Sequence, residues 1–272
     1  QAASALSIQN IARAGDNIIS STNLYGGTWN LFANTLKDQG IEVRFVDPKN
    51  PEAFANASDK KTRAYYGETL ANPKLEVFPI EEVSKIGKHL GIPLIIDNTA
   101  SPYICRPFDY GANVIVYSAT KYIGGQGSAI GGLIVDSGNF NWEAHPNQQP
   151  SLNIPDPSCH GIIWSKAIKP LGPISYIIKA RTTLLRDLGS ALSPFNAFQF
   201  IQGLETLPLR ISKQCENANL LAQFLNKEKS IEKVIYPSLF NQKQKENSQK
   251  YLKKGYGSLI GIELKGGLEV GK

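Results

Sequence analysis

Residues 93–121 read PLIIDNTASPYICRPFDYGANVIVYSATK. Two short apolar runs stand in this stretch, PLII from Pro93 to Ile96 and NVIVY from Asn113 to Tyr117. Neither alternates apolar with polar residues, as a half-buried strand would. Runs of this kind suit strands covered on both faces. The first ends at Asp97 and the second runs into Ser118-Ala119-Thr120-Lys121. Open α/β sheets gather ligand groups at the carboxyl ends of their strands.

Working outward, the same alternation continues. Ile80–Leu90 reads as a helix, opened by Pro79 and closed by Gly91. Strand-like runs occur at Asn17–Ser20, Glu42–Val46, Arg63–Tyr66 and Gly132–Val135, with helices expected over Ala2–Ala14 and Thr28–Gln39. Short apolar strands separated by helices predict an α/β fold with a mostly parallel sheet covered on both faces. The Pro-rich patch His145–Pro157 reads as a surface loop. Beyond Ile174 the texture changes. Ile174–Leu188 reads as a helix, and Pro194 opens a long helical stretch whose apolar positions include Leu220, Leu221, Phe224 and Leu225. Pro208 is expected to kink or interrupt it. Val234–Tyr236 and Leu259–Leu264 read as strands of a second, smaller unit. The division is expected near residue 192, giving a large unit over 1–192 and a smaller one over 193–272.

Composition narrows the class. Of 272 residues, 42% are hydrophobic and 19% charged, enough apolar surface for a full core rather than a disordered chain. The net charge of +6 is diffuse, apart from the lysine-rich run Asn241–Lys254, which reads as a solvated helix or loop. A basic nucleic-acid binder would gather its charge on one face. The three cysteines, Cys105, Cys159 and Cys215, are widely spaced and odd in number, which suits a reducing compartment, so cytoplasm is expected. No run reaches the roughly 18 apolar residues of a membrane span. Methionine is absent altogether. The histidines show no metal spacing, and neither a GxSxG elbow nor a Walker A loop occurs.

The segment Tyr117–Gly132, YSATKYIGGQGSAIGG, carries the richest chemistry. Ser118 and Thr120 offer hydroxyls, Lys121 offers an amine, and the glycines free backbone amides to bind an anion. Asp97 alone would cap a turn or meet a cationic ligand. Beside Ser118-Ala119-Thr120-Lys121, one strand later, it gains a second meaning. An Asp holding a protonated pyridine nitrogen and a Lys forming a Schiff base are the pair that pyridoxal phosphate needs. Tyr25, in the turn Asn23–Thr28, could stack on an aromatic ring. Asn72 lies in Glu68-Thr69-Leu70-Ala71-Asn72-Pro73, directly after a strand.

These segments together resemble the Cys/Met-metabolism family of pyridoxal-phosphate enzymes. The likeness extends over SSTNLYGGTWNLF, GIEVRFVDP, GETLANPKLEV and KARTTLLRDLGSALSPFNAFQFIQGLETLPLR. CRPFDYGA and SPFNAFQFIQGLETLPLR point to the O-acetylhomoserine sulfhydrylase branch. The resemblance implies a fold type I transferase architecture, similar to aspartate aminotransferase, and pyridoxal 5'-phosphate as cofactor. It implies that Lys121 binds the cofactor covalently and moves protons, and that Asp97 pairs with the ring nitrogen. It places Tyr25 over the ring, Ser118, Thr120 and Gln1 at the phosphate, and Asn72 near the phenolic oxygen and the substrate carboxylate. The implied reaction exchanges the acetate of O-acetyl-L-homoserine for sulfide, giving L-homocysteine. Nearby alternatives are cystathionine γ-synthase, O-succinylhomoserine sulfhydrylase and methionine γ-lyase. A different class, a non-catalytic nucleotide- or phosphate-binding α/β domain, would be colourless. Partners implied are the amino-acid substrate, sulfide or a thiol, and further copies of the chain in a homodimer or homotetramer. Tyr117 stands where the family usually has His, and Gln126 replaces His in Gly-Gly-His-Gly. The chain is expected to be a fragment, starting inside a phosphate-binding turn and stopping before the arginine that binds substrate carboxylate.

Overall fold

The computed structural model describes residues 1–271. Six strands form the main sheet: β1 (Asn17–Ser21), β2 (Glu42–Val46), β3 (Thr62–Glu68), β4 (Leu94–Asp97), β5 (Val114–Ser118) and β6 (Gly132–Asp136). Their spatial order is β2-β1-β3-β4-β5-β6. The first five pair in parallel, and β6 closes the edge antiparallel to β5. Successive side chains of the central strands enter two different cores. Ile18, Ala64, Tyr66 and Ile95 join one with Ile8, Phe32 and Leu36. Ile19, Tyr65, Leu94 and Ile96 join the other with Val83, Phe200 and Ile211. A two-residue side-chain period thus feeds helices on both faces. The expected α/β architecture with a mostly parallel sheet is what the chain forms.

The helix Ile80–Leu90 has the bounds its end signals give: Glu81 and Glu82 lie in the first turn, Lys88 and His89 in the last, and Gly91 is left-handed at φ 70°. Other expectations need correction. The first helix stops at Gln9, not Ala14. Asn10, the residue after it, is fully buried, and its side-chain amide donates to the Tyr176 carbonyl at 2.9 Å. The helix over 26–38 starts two residues early and contains a π turn at Leu31–Thr35. A second π turn, Arg181–Leu185, lies within 175–188. The patch His145–Pro157 is no simple surface loop. It includes the turn of helix Pro150–Asn153, and buried Gln149 donates to the carbonyls of Arg63 and Gly91.

The long helix runs from Pro194 to Leu225 without interruption at Pro208. Its buried side is Phe200, Gly203, Leu207, Ile211, Cys215, Ala218 and Ala222, a three-and-four spacing. Leu220, Leu221 and Phe224 instead lie about half exposed. A small antiparallel pair, β7 (Ile231–Ile235) and β8 (Gly261–Leu264), packs beyond it. The lysine-rich run forms the helix Gln242–Tyr251, and it docks rather than floats: Lys250 pairs with Glu81 and Glu82. No described helix is long and apolar enough to cross a membrane.

Candidate active site

A cavity of about 650 Å³ opens at the carboxyl ends of the parallel strands. Gln1, Tyr25, Asn72, Asp97, Ser118, Thr120 and Lys121 all line it. Residues scattered from position 1 to position 121 therefore meet in one place. The parallel topology brings Tyr25, Asn72, Asp97, Ser118, Thr120 and Lys121 there, since each parallel strand delivers its following loop to the same edge, and the amino end of the first helix adds Gln1.

Asp97 ends β4, and its Oδ1 accepts from the Thr99 amide at 2.8 Å. The Thr99 hydroxyl accepts in turn from the Ser118 amide at 2.7 Å. One threonine thereby fixes the end of β4 against the end of β5. Burial pushes the Asp97 carboxyl above its usual range, against the opposing bonds from Thr99. No salt bridge reaches it among the described residues. A carboxylate with no ion-pair partner at a cavity floor suits a cationic ring nitrogen.

After β5 the chain turns tightly. The Lys121 amide donates to Ser118 O, and the Gly125 amide to Lys121 O at 2.8 Å. Thr120 Oγ1 accepts from the Gly131 amide at 3.0 Å and lies 3.2 Å from Gly131 O, pinning the glycine loop. That loop enters strand β6, not a helix, as the sequence pattern predicts. Lys121 is exposed to the cavity, and its amine has no hydrogen-bond partner among the described residues. Tyr25 presents a half-exposed ring. The amino end of the helix Ala2–Gln9 brings Gln1, Ala3 and Ser4 to the wall, a placement suited to an anion.

Several lining residues were given no role from sequence. Glu68 ends β3 directly beside Asp97 in register. Its carboxyl is pushed up to about 8, by burial first and the Asp97 carboxylate second. Tyr117 accepts a hydrogen bond from Asn98 at 3.0 Å. Arg210 and Gln214 reach in from the long helix. The Arg210 guanidinium donates to the carbonyls of Tyr122, Ile123 and Gly203, tying the helix to the loop after Lys121. Glu68 lacks the signal that identifies Asp97, an acid directly closing an apolar run, because Gly67 separates it from the run that ends at Tyr66. Arg210 and Gln214 carry no such local signal.

The sequence profile of the Cys/Met metabolism PLP-dependent enzymes matches residues 1–272. The chain belongs to that family. The O-acetyl-L-homoserine sulfhydrylase of Leptospira meyeri is 47% identical over 100% of this chain and 63% of its own length. The homocysteine/cysteine synthase of Saccharomyces cerevisiae is 45% identical over 97% of this chain and 60% of its own. A solved structure, the putative O-acetylhomoserine (thiol)-lyase of Campylobacter jejuni, superposes with a TM-score of 0.90 at 38% identity, covering 97% of this chain and 65% of that one. It carries a pyridoxyl-lysine monophosphate. The likeness bears out the fold type I expectation. The chain spans about two thirds or less of the length of these relatives. The cofactor of the Cys/Met metabolism family is pyridoxal phosphate, and the cavity fits it. It holds a half-buried acid without an ion-pair partner among the described residues, a free amine, two hydroxyls and a helix amino end.

Proposed function

We propose that the protein of which this chain is part replaces the acetate of O-acetyl-L-homoserine with sulfide, giving L-homocysteine in methionine biosynthesis. The observation that carries this reading is the meeting of Lys121, Asp97, Tyr25, Asn72, Ser118, Thr120 and Gln1 on one cavity. The names of the sulfhydrylase relatives support the choice of substrate.

When bound, pyridoxal phosphate supplies an electron sink conjugated to the substrate α-carbon. The residues supply the rest. Lys121 anchors the cofactor, then takes and returns the proton at the substrate Cα. Asp97 holds a proton on the ring nitrogen. Tyr25 covers the ring and assists proton handling at the substrate amine. Ser118, Thr120 and Gln1 hold the phosphate. Asn72 orients the phenolic oxygen and the substrate carboxylate. We assign the chain a large cofactor-binding unit to about residue 192 and a smaller unit beyond it. Further copies covering the open cavity mouth, where Tyr25 lies half exposed, fit a homodimer or homotetramer in the cytoplasm.

The test is chemical. Borohydride reduction of the pyridoxal-phosphate-loaded protein should fix a pyridoxyl group on Lys121, read by peptide mass. Lys121→Ala should lose both the adduct and the yellow colour. An adduct that persists elsewhere in the Ala variant means that Lys121 is the wrong lysine. Offering sulfide against cysteine as acceptor separates the proposed reaction from cystathionine synthesis.

A further inference from the structure

Glu68 is buried at 6% exposure, and each of its oxygens holds a different loop. Oε1 accepts from the Tyr25 amide at 2.6 Å, and Oε2 from the Asn72 amide at 3.2 Å. Neither amide finds a backbone acceptor among the described residues. Tyr25 follows β1 and Asn72 follows β3, so one side chain bridges segments 43 and 4 residues away from it. The same loops are also joined farther from the cavity, where Asn23 bonds Glu76 and Lys74. Among the described residues, Glu68 alone grips them at the two residues that line the cavity. Only an ionised carboxyl group accepts freely on both oxygens, because an amide, like a protonated carboxyl, accepts on one side and donates on the other. The arrangement is costly, since Glu68 sits in register beside Asp97. A buried acid next to a half-buried one resists ionisation, and its carboxyl is held well above the normal range.

We propose that Glu68 is a positioning residue that acts on the cofactor through Tyr25 and Asn72, holding both against the ring's seat with one carboxyl group. This rests on the reading that the cavity holds pyridoxal phosphate. Glu68→Gln keeps the volume but can hold only one loop. In the full-length, cofactor-loaded protein it should lower pyridoxal phosphate affinity about tenfold, the loss of one strong hydrogen bond. It should also shrink the visible circular dichroism of the bound cofactor severalfold. In a Tyr25→Ala, Asn72→Ala background the clasp has no side chains left to position, so Glu68→Gln should change neither readout.

Melting of the cofactor-free protein checks that each variant folds. Glu68→Asp, one methylene shorter, is the second variant, and the same background-dependent loss is expected of it. Wild-type affinity and dichroism in both variants overturn the clasp. So does an equal loss in the Tyr25→Ala, Asn72→Ala background. Borohydride trapping separates the two readings. A wild-type protein that fixes no pyridoxyl group on Lys121 overturns the cavity assignment and the clasp with it. One that does, with insensitive Glu68 variants, overturns the clasp alone.

Discussion

Glu68 and Asp97 end neighbouring parallel strands, and burial raises both carboxyls. The consequence for stability has a definite sign. A carboxyl whose folded value lies above its unfolded one stabilises the fold when protonated. That contribution is full below the unfolded value, roughly 4.3, and is lost as pH rises through the folded value of about 8. The cofactor-free protein should therefore lose urea resistance between pH 5 and pH 8. Glu68→Gln, which cannot ionise, should flatten that slope. Parallel curves for wild type and variant would show that Glu68 does not titrate in this window. The same pair shows how far residues could be recognised from sequence. Asp97 stands out because it follows an unbroken apolar run, and Lys121 because it closes the Ser118-Ala119-Thr120-Lys121 turn after one. Glu68 does not, because Gly67 makes the strand seem to stop at Tyr66. The glycine is there for space: a Cβ at 67 would meet the Phe78 ring at 2.5 Å. Strand β3 continues past it and delivers Glu68 to the cavity.

Elements were legible where end signals and burial agreed. Pro79 and Gly91 bound one helix, and the apolar strands fixed the parallel sheet. The long helix Pro194–Leu225 was harder because apolar side chains occur on opposite sides of it. Phe195, Phe198, Leu209, Leu220 and Phe224 are exposed, while Phe200, Leu207 and Ile211 are buried. A three-and-four spacing alone cannot choose between two apolar faces. The choice is made by small residues at the contact. A Cβ on Gly203 would lie 2.1 Å from Ile123 O and 2.8 Å from Gly124 O. Helix and lysine loop touch backbone to backbone there. Gly to Ala inside a helix normally stabilises by about 1 kcal/mol. Here overpacking, at about 1–3 kcal/mol, should win. Gly203→Ala should lower the urea midpoint of the folded chain. A midpoint at or above wild type would mean that the loop yields freely.

At the scale of the whole molecule, the cavity wall is shared. The sheet supplies Asp97 and Lys121, while Arg210, Gln214 and Leu259 come from the segment beyond residue 192. Ser258 donates to the Tyr122 hydroxyl at 2.7 Å, so the later segment reaches the neighbour of Lys121. Its seat on the sheet side is ionic. Lys250 lies 2.6 Å from Glu81 and 2.9 Å from Glu82, and the Tyr251 hydroxyl donates to Glu82 at 2.6 Å. Lys250 and Lys85 hold Glu81 down to about 2. Burial raises Glu82, but Tyr251 and Lys250 outweigh it and its carboxyl sits below the usual range. Carboxyls with lowered values stabilise above their unfolded range, and the contribution is lost as pH falls through the folded one. Exposed pairs are also screened by salt, so the effect is small at each contact and shows best at low ionic strength. Acidification from pH 5 to pH 2 should thus free the helix Gln242–Tyr251 before the central strands. Hydrogen exchange, corrected for the intrinsic pH dependence, should show its amides losing protection ahead of those in β3, β4 and β5. Lys250→Met removes the cation in advance, so its helix should already exchange faster at pH 5 and change little further on acidification. Helix and sheet losing protection together in the wild type, with no early loss in Lys250→Met, would mean that apolar packing of Tyr251 and Leu252, not charge, seats this helix.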